Sequence, residues 1–360
     1  MLKRSILNLT LTLVLAAAGF AAVHAQTAEA AVKAFVGGCR LGPAEGDGKL
    51  EIVPVEAPAA SLPGGVLTLD DALAAKALTV SEVSESGSVN TLRVTNRSKQ
   101  AVFIMAGEIL AGSKQNRILQ VDVLLPPGAV DVSLQAFCVE HGRWTYKSKE
   151  FYSERNAAPI SVRRVAQQGK AQGEVWQEVA CNNAAVGTVS GTGSLSDSFN
   201  TKKVRETKDR LAKRFGDLPA RCPRATGVVV RIDGKVLAAD LFADRRLFEK
   251  LWDKMLESYL VEYARRMSGE AADGAAATAA DFLRRVAGAR VDLDPAPSAG
   301  RTVELFAPAL SGAGVLRDGA PVHLALFPTD PDAARKAPRT PLQRNYPPNS
   351  VNQGPVQQQR

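Results

Sequence analysis

Chemistry in this chain is concentrated between Gly107 and Trp144, GEILAGSKQNRILQVDVLLPPGAVDVSLQAFCVEHGRW. Two apolar runs each end in a tight group of polar and charged residues. The first group is Gly107, Glu108 and then Gly112 to Arg117; the second is Cys138, Glu140, His141, Arg143 and Trp144. Such residues are costly in or beside a core unless something there uses them. If Ala101–Leu110 and Val130–Glu140 are strands, side chains two apart share a face. Val102, Ile104, Ala106 and Glu108 then point one way, and Val130, Val132, Leu134, Ala136, Cys138 and Glu140 do likewise. With the apolar members inward, each strand ends in an inward glutamate. Glu108 and Glu140 at one sheet rim could serve as general acid and base, or bind a cation. The alternative is that each forms a structural ion pair with Arg117 or Arg143.

The same stretch can also bind an anion. Gly107 and Gly112 beside Lys114 and Arg117 would present backbone N–H groups and positive charge; a bulge or tight turn explains the same glycines without a ligand. GEILAGSK is not a phosphate loop, because its lysine comes one position late for GxxxxGK[ST]. Cys138 on an apolar strand face reads as a buried small hydrophobe or a disulfide partner rather than a nucleophile, and His141, on the other parity, is not placed to be its base. Trp144 beside Arg143 either stacks on a ring or caps the core edge.

The N-terminus has a basic pair, Lys3 and Arg4, an uncharged apolar run from Ile6 to Val23, and the small-residue pattern Val23-His24-Ala25. This reads as a secretory signal peptide (residues 1–25) cleaved after Ala25, and so as a periplasmic or secreted protein. No later apolar run is long enough to span a membrane. Removing Lys3 and Arg4 with the leader leaves 43 basic residues against 37 acidic, a net charge of +6. The charges are scattered rather than clustered, so nucleic acid is not an expected partner. Cys39, Cys138, Cys181 and Cys222 allow two disulfides in an oxidising compartment. Without CxxC or HExxH nothing specifies a metal site, and no cofactor is expected.

The expected fold is α+β: an antiparallel sheet core of short strands packed by one long amphipathic helix (244–268) and shorter helices. Residues 26–48 read as irregular. Leu50 to Val55 reads as an edge strand because of Pro54. Thr68 caps a short helix, Leu69 to Lys76. Leu78 to Val83 and Val89 to Val94 form a hairpin; Ala101–Leu110, Arg117–Leu125 and Val130–Glu140 are further strands. Residues 145–200 are polar, and the Gly/Ser/Thr patch Gly187 to Ser198 reads as a surface loop or a flap over a site. Thr201 to Phe215 is a basic helix. Gly227–Ile232 and Lys235–Phe242 make a hairpin about Asp233-Gly234, whose residues suit a type I′ turn. Asp244 then caps the long helix, with Leu247, Leu251, Met255, Tyr259 and Tyr263 every four residues. Ala271–Ala287 is helical, Gly312–Phe327 is a closing strand pair, and 328–360 is a disordered Pro/Gln-rich tail. One α+β domain thus spans 49–327.

GEILAGSKQNR, then CVEHGRW, and later VLAADLFADRRLFEKLWDKMLESY together resemble the ARG and rhodanese-phosphatase-superfamily-associated protein domain family over most of residues 50–327. The family is named for its association with ADP-ribosylglycohydrolase and other domains. The resemblance implies an α+β domain and a link to ADP-ribose or nucleotide chemistry. Its motif positions fall here on Glu108, Gly112, Lys114, Gln115, Asn116, Arg117, Cys138, Glu140, Arg143 and Trp144. Three functions follow. The first is binding of an anionic or nucleotide-like ligand, or a protein partner, through Lys114, Gln115, Asn116, Arg117, Arg143 and Trp144. The second is hydrolysis of a phosphodiester or glycosidic, ADP-ribose-like substrate by Glu108 or Glu140. The third is a structural envelope protein whose charges close the core edge.

Overall fold

The computed structural model describes residues 28–47, 49–60, 62, 64–169, 171–267, 278–294 and 299–329. The expected leader, the tail from residue 330 and part of the Ala-rich segment lie outside the described residues.

Residues 28–37, expected to be irregular, form a helix (α1), because Ala28, Val32, Phe35 and Val36 recur on one buried face. Then come β1 (Arg40–Leu41), β2 (Glu45–Asp47), β3 (Leu50–Glu56), β4 (Val66–Thr68) and α2 (Leu69–Ala74). Thr68 caps α2 as its position predicts: its hydroxyl accepts from the Asp71 amide, and the Asp71 carboxylate accepts from the Thr68 amide, both at 3.2 Å. The hairpin of β5 (Leu78–Glu82) and β6 (Thr91–Asn96) precedes β7 (Ala101–Ile104), β8 (Glu108–Gly112), β9 (Arg117–Leu119), β10 (Val123–Leu125) and β11 (Val132–Cys138).

The polar stretch 145–200 is not a long loop. It holds β12 (Phe151–Ala157), α3 (Ile160–Gln167), α4 (Gln172–Ala185) and a 3-10 turn (Leu195–Asn200). Its helices are held by few apolar residues at helical spacing, Val162 with Ala166 and Val175 with Val179, all buried. The chain continues through α5 (Lys202–Phe215), α6 (Leu218–Arg221), β13 (Gly227–Ile232), β14 (Lys235–Phe242), α7 (Arg245–Arg266) and α8 (Ala279–Ala287). It closes with β15 (Arg290–Asp294), β16 (Arg301–Ala307), β17 (Leu310–Arg317) and β18 (Ala320–Pro328). The β13–β14 turn has Asp233 at φ 50° and Gly234 at φ 73°, the positive pair a type I′ turn needs. Asp244 caps α7 by accepting from the Arg246 and Leu247 amides.

The fold is α+β. Among the described residues a nine-stranded sheet runs β1-β3-β13-β14-β18-β17-β16-β15, with β2 also on β3. Smaller sheets run β10-β7-β4 and β12-β8-β9-β11-β6-β5. Pairing is antiparallel except between β4 and β7. Pro54 does not mark an edge: β3 is interior, and the proline falls between the stretches paired to β1 and to β2. The large sheet is covered on both faces. Val228, Val230 and Phe242 pack toward Trp252, Met255 and Tyr259 of α7. Val229, Leu241 and Leu326, of opposite parity, pack toward α1 and Phe282 and Val286 of α8. Each such side chain, fully buried, contributes roughly 1.5–3 kcal/mol.

Two expected strands are broken, and one carboxylate lies at both breaks. Asp122, between β9 and β10, accepts the Ala106 amide at 2.8 Å, and the Met105 amide goes to Glu108 at 2.7 Å. Those amides are lost to a continuous strand, and Gly107 turns the chain at φ 85°. A Cβ there would lie 2.6 Å from Arg163 Cγ. The shared face of Val102, Ile104, Ala106 and Glu108 is therefore interrupted, which corrects the parity argument for Glu108. The four cysteines are free rather than paired in disulfides.

The other oxygen of Asp122 meets His323 Nδ1 at 2.7 Å, and His323 Nε2 meets Asp240 at 3.1 Å. Both ring nitrogens face carboxylates, so both donate and the ring is an imidazolium. Burial opposes that charge, but Asp122 and Asp240 outweigh it and push the His323 pKa up to about 9 from 6.5. A raised folded pKa gives stability that is fully present below pH 6.5 and lost as pH rises through 9. The melting temperature is expected to fall between pH 7 and 9.5, and His323→Asn, less stable overall, should show a shallower fall. An unchanged slope in that variant would contradict this assignment.

Candidate functional site

The two motifs meet because β9 pairs with β11: Arg117 lies opposite Cys138, Ile118 opposite Phe137 and Leu119 opposite Ala136. The turn between β8 and β9 is set by Gly112 at φ 103° and Ser113 at φ 40°. It throws Lys114, Gln115 and Asn116 against the segment after β11. Gln115 Nε2 donates to the Glu140 carbonyl at 3.0 Å, the Asn116 amide donates to Glu140 Oε2 at 3.1 Å, and the Val139 amide donates to the Asn116 carbonyl at 3.0 Å.

Arg143 closes the joint. It donates to the Ser113 carbonyl at 2.6 Å, the Gly112 carbonyl at 3.1 Å, Asn116 Oδ1 at 3.2 Å and Glu140 Oε2 at 2.6 Å. Thr192 donates to the other Glu140 oxygen at 2.9 Å, and Asn116 Nδ2 reaches Ser196 at 2.9 Å. The Gly/Ser/Thr patch thus lies against the joint, and its residues Thr192, Ser194 and Ser196 were not singled out by spacing. Burial works against a charge on Glu140, yet Arg143, Thr192 and Asn116 together hold its pKa below the ordinary glutamate value. Glu140 is an ionised, fully bonded carboxylate, suited to holding the joint together and poorly suited to donating a proton.

Arg117 behaves differently. Its side chain is wholly buried, with 0 % exposure. It donates to Gln115 Oε1 at 3.1 Å and to the Ser88 carbonyl at 3.4 Å, but its nearest carboxylate, Glu82, stands 3.8 Å away. Arg117 Nε and Glu82 Oε2 have no hydrogen-bond partner. Trp144 covers this group: the Arg117 guanidinium lies 5.7 Å from its ring centroid and Lys114 Nζ 5.3 Å, with Tyr146 on the other side of Lys114 at 5.0 Å. Lys114 also donates to the Ser86 carbonyl at 2.9 Å. Three cations, Lys114, Arg117 and Arg143, gather with two carboxylates, Glu82 and Glu140. Burial pushes the Cys138 thiol up despite Arg117 beside it, so it is held as a neutral thiol.

Glu108 does not join this cluster. It begins β8 whereas Gly112 ends it, so about 13 Å of strand separates them. Its carboxylate pairs with Lys254 of α7 and accepts the Met105 amide, and Lys254 also meets Asp70 at 2.8 Å. Glu108 and Glu140 therefore do not line one rim. Among the described residues no group of three or more His, Cys, Asp or Glu is arranged to hold a metal ion.

Gly142 fits the patch closely: a Cβ there would lie 3.0 Å from the Thr192 backbone, and its amide donates to the Thr192 carbonyl at 2.7 Å. Gly142→Ala is expected to lift this segment off Glu140, cost about 1–3 kcal/mol, and speed proteolytic cleavage within 188–193. Limited proteolysis checks this; an unchanged cleavage rate would contradict the contact's importance.

No curated protein and no solved structure shows significant similarity to the chain. A family profile does match, over residues 38–327, a span that holds the joined motifs, the large sheet and α7. The chain belongs to the ARG and Rhodanese-Phosphatase-superfamily-associated Protein domain family.

Proposed function

We propose that this is an exported ligand-binding domain that takes an anionic, nucleotide-like molecule at the joint of the two motifs. The observation that carries the reading is Arg117: a fully buried guanidinium with an unpartnered N–H, 3.8 Å from its closest carboxylate, in a cluster with one cation in excess. A buried charge left short of partners is costly, and a phosphate or carboxylate oxygen would supply what Glu82 does not. Lys114 and the unpartnered Nε–H of Arg143 would hold further anionic oxygens, Gln115 and Asn116 would orient them, and Trp144 and Tyr146 offer faces for a base. The family's name, which associates it with ADP-ribosylglycohydrolases, is consistent with a nucleotide-like ligand. Export rests on the Lys3-Arg4 leader and its Ala25 cleavage pattern.

Binding is favoured over turnover because Glu140 is saturated with donors and Glu108 is engaged by Lys254. A thermal-shift screen of nucleotides, ADP-ribose, inorganic phosphate, neutral sugars and divalent metals tests the reading. Phosphate-bearing compounds are expected to stabilise the protein and to be recovered unchanged. Stabilisation by neutral sugars alone would overturn it. Cleavage of ADP-ribose that is lost in Glu140→Gln with affinity retained would establish the hydrolase instead.

A further inference from the structure

The charged groups around Glu108 form a second site, separate from the motif joint. A cavity of about 270 Å³ opens between α2, β12 and α7, lined by Asp70, Asp71, Arg155, Lys250, Asp253 and Lys254 among others. Lys250, Asp253 and Lys254 share one face of α7 by their spacing of three and four. Most of these charges satisfy one another. Lys254 Nζ meets Asp70 at 2.8 Å and is bonded to the buried Glu108, and Lys250 Nζ meets Asp71 at 2.7 Å. Two lining side chains are left over. The Arg155 guanidinium and the Asp253 carboxylate form no hydrogen bond or ion pair among the described residues.

The position of Arg155 is built rather than incidental. The β12–β8 register slips between Ser153 and Ala157, and Arg155 sits in the slip at φ 59°. Left-handed backbone is uncommon for a long side chain, and bulges commonly re-aim a side chain beside a site. The slip is tied to the cavity itself: Ser153 Oγ donates to Asp70 Oδ1 at 2.5 Å and accepts the Arg155 amide at 3.0 Å.

We propose that this cavity binds a small zwitterion of the α-amino acid class, its carboxylate on Arg155 and its ammonium on Asp253. The floor of Glu108, Lys254 and Asp70 holds the walls in place with one cation against two carboxylates, so a ligand of net negative charge gains nothing from it. The volume lies below the roughly 300–1,000 Å³ of sites for drug-sized ligands, which suits a molecule of amino-acid size. One free cation and one free anion on the lining match one carboxylate and one ammonium on the ligand.

The test is calorimetric titration of the full mature chain with each of the common α-amino acids, and with acetate, methylammonium and glucose as controls. At least one amino acid is expected to bind, acetate and methylammonium much more weakly. Arg155→Gln and Asp253→Asn, both surface changes that leave the unliganded melting temperature in place, should each weaken that binding about tenfold or more, equivalent to about 1.4 kcal/mol. Arg143→Gln at the motif joint should leave it unaltered, so the two sites can fail separately. The proposal is overturned if no amino acid binds, if glucose binds in their place, or if affinity is the same in both cavity variants.

Discussion

Asp240→Ala is expected to destabilise the protein by about 3–5 kcal/mol, a large share of the roughly 5–15 kcal/mol that holds an ordinary domain together. Asp240 is fully buried on β14 and accepts from three elements at once. Arg163 of α3 donates to its two oxygens at 3.1 and 2.5 Å, Tyr259 of α7 donates at 2.6 Å, and His323 of β18 at 3.1 Å. Alanine would leave a buried guanidinium and imidazolium with Asp122 as the remaining carboxylate nearby. Burial opposes the Asp240 charge, but Arg163 and His323 prevail and hold its pKa well below the ordinary 3.8. A depressed folded pKa gives stability present above the unfolded value and lost as pH falls. Urea unfolding at pH 7 should therefore show the large loss, and the difference between wild type and variant should shrink toward acid pH. A change under about 1 kcal/mol, within the uncertainty of the denaturant extrapolation, would mean that the network is not a stabilising junction.

The second large effect concerns Lys254 and Glu108. Lys254→Met alone is expected to cost about 3–5 kcal/mol, because it leaves the wholly buried Glu108 carboxylate with the Met105 amide and no counter-charge. Glu108→Leu alone should cost a similar amount for the reciprocal reason, softened by Asp70, which still faces Lys254. The double variant should recover much of the loss, since replacing both members of a buried pair by apolar groups is often near neutral. A coupling energy of about 2 kcal/mol or more from the cycle is the expected reading. Strict additivity would show that the two charges act independently.

These two networks also mark what could and could not be read from the chain. The β13–β14 hairpin, the Asp244 cap, the face of α7 and the Thr68 cap are local: turn residues, caps and four-residue spacing lie within a few positions of what they determine. The meeting of GSKQNR with CVEHGRW was legible as well, because the intervening segment is short and its proline-rich turn reverses it. Glu108 was not placed correctly because its partner Lys254 is 146 positions away and belongs to an α7 face that also packs the core. Asp122 sits inside an apolar run with nothing local to show that it takes the Ala106 amide and splits two strands. The helices α3 and α4 escaped because their apolar positions are few and small. Thr192 and Ser194 escaped because a Gly/Ser/Thr run looks the same whether it hangs in solvent or closes on a carboxylate.

The central claim is that the joined motifs form one anion-binding face around Arg117. Isothermal titration of ADP-ribose into the wild type and Arg143→Gln tests it most directly, with circular dichroism to show that the variant is folded. The wild type is expected to bind, with affinity falling as salt rises, and the variant to lose about tenfold or more of that affinity. Equal affinity in the two proteins, or no binding by the wild type of either ADP-ribose or inorganic phosphate, would contradict the account.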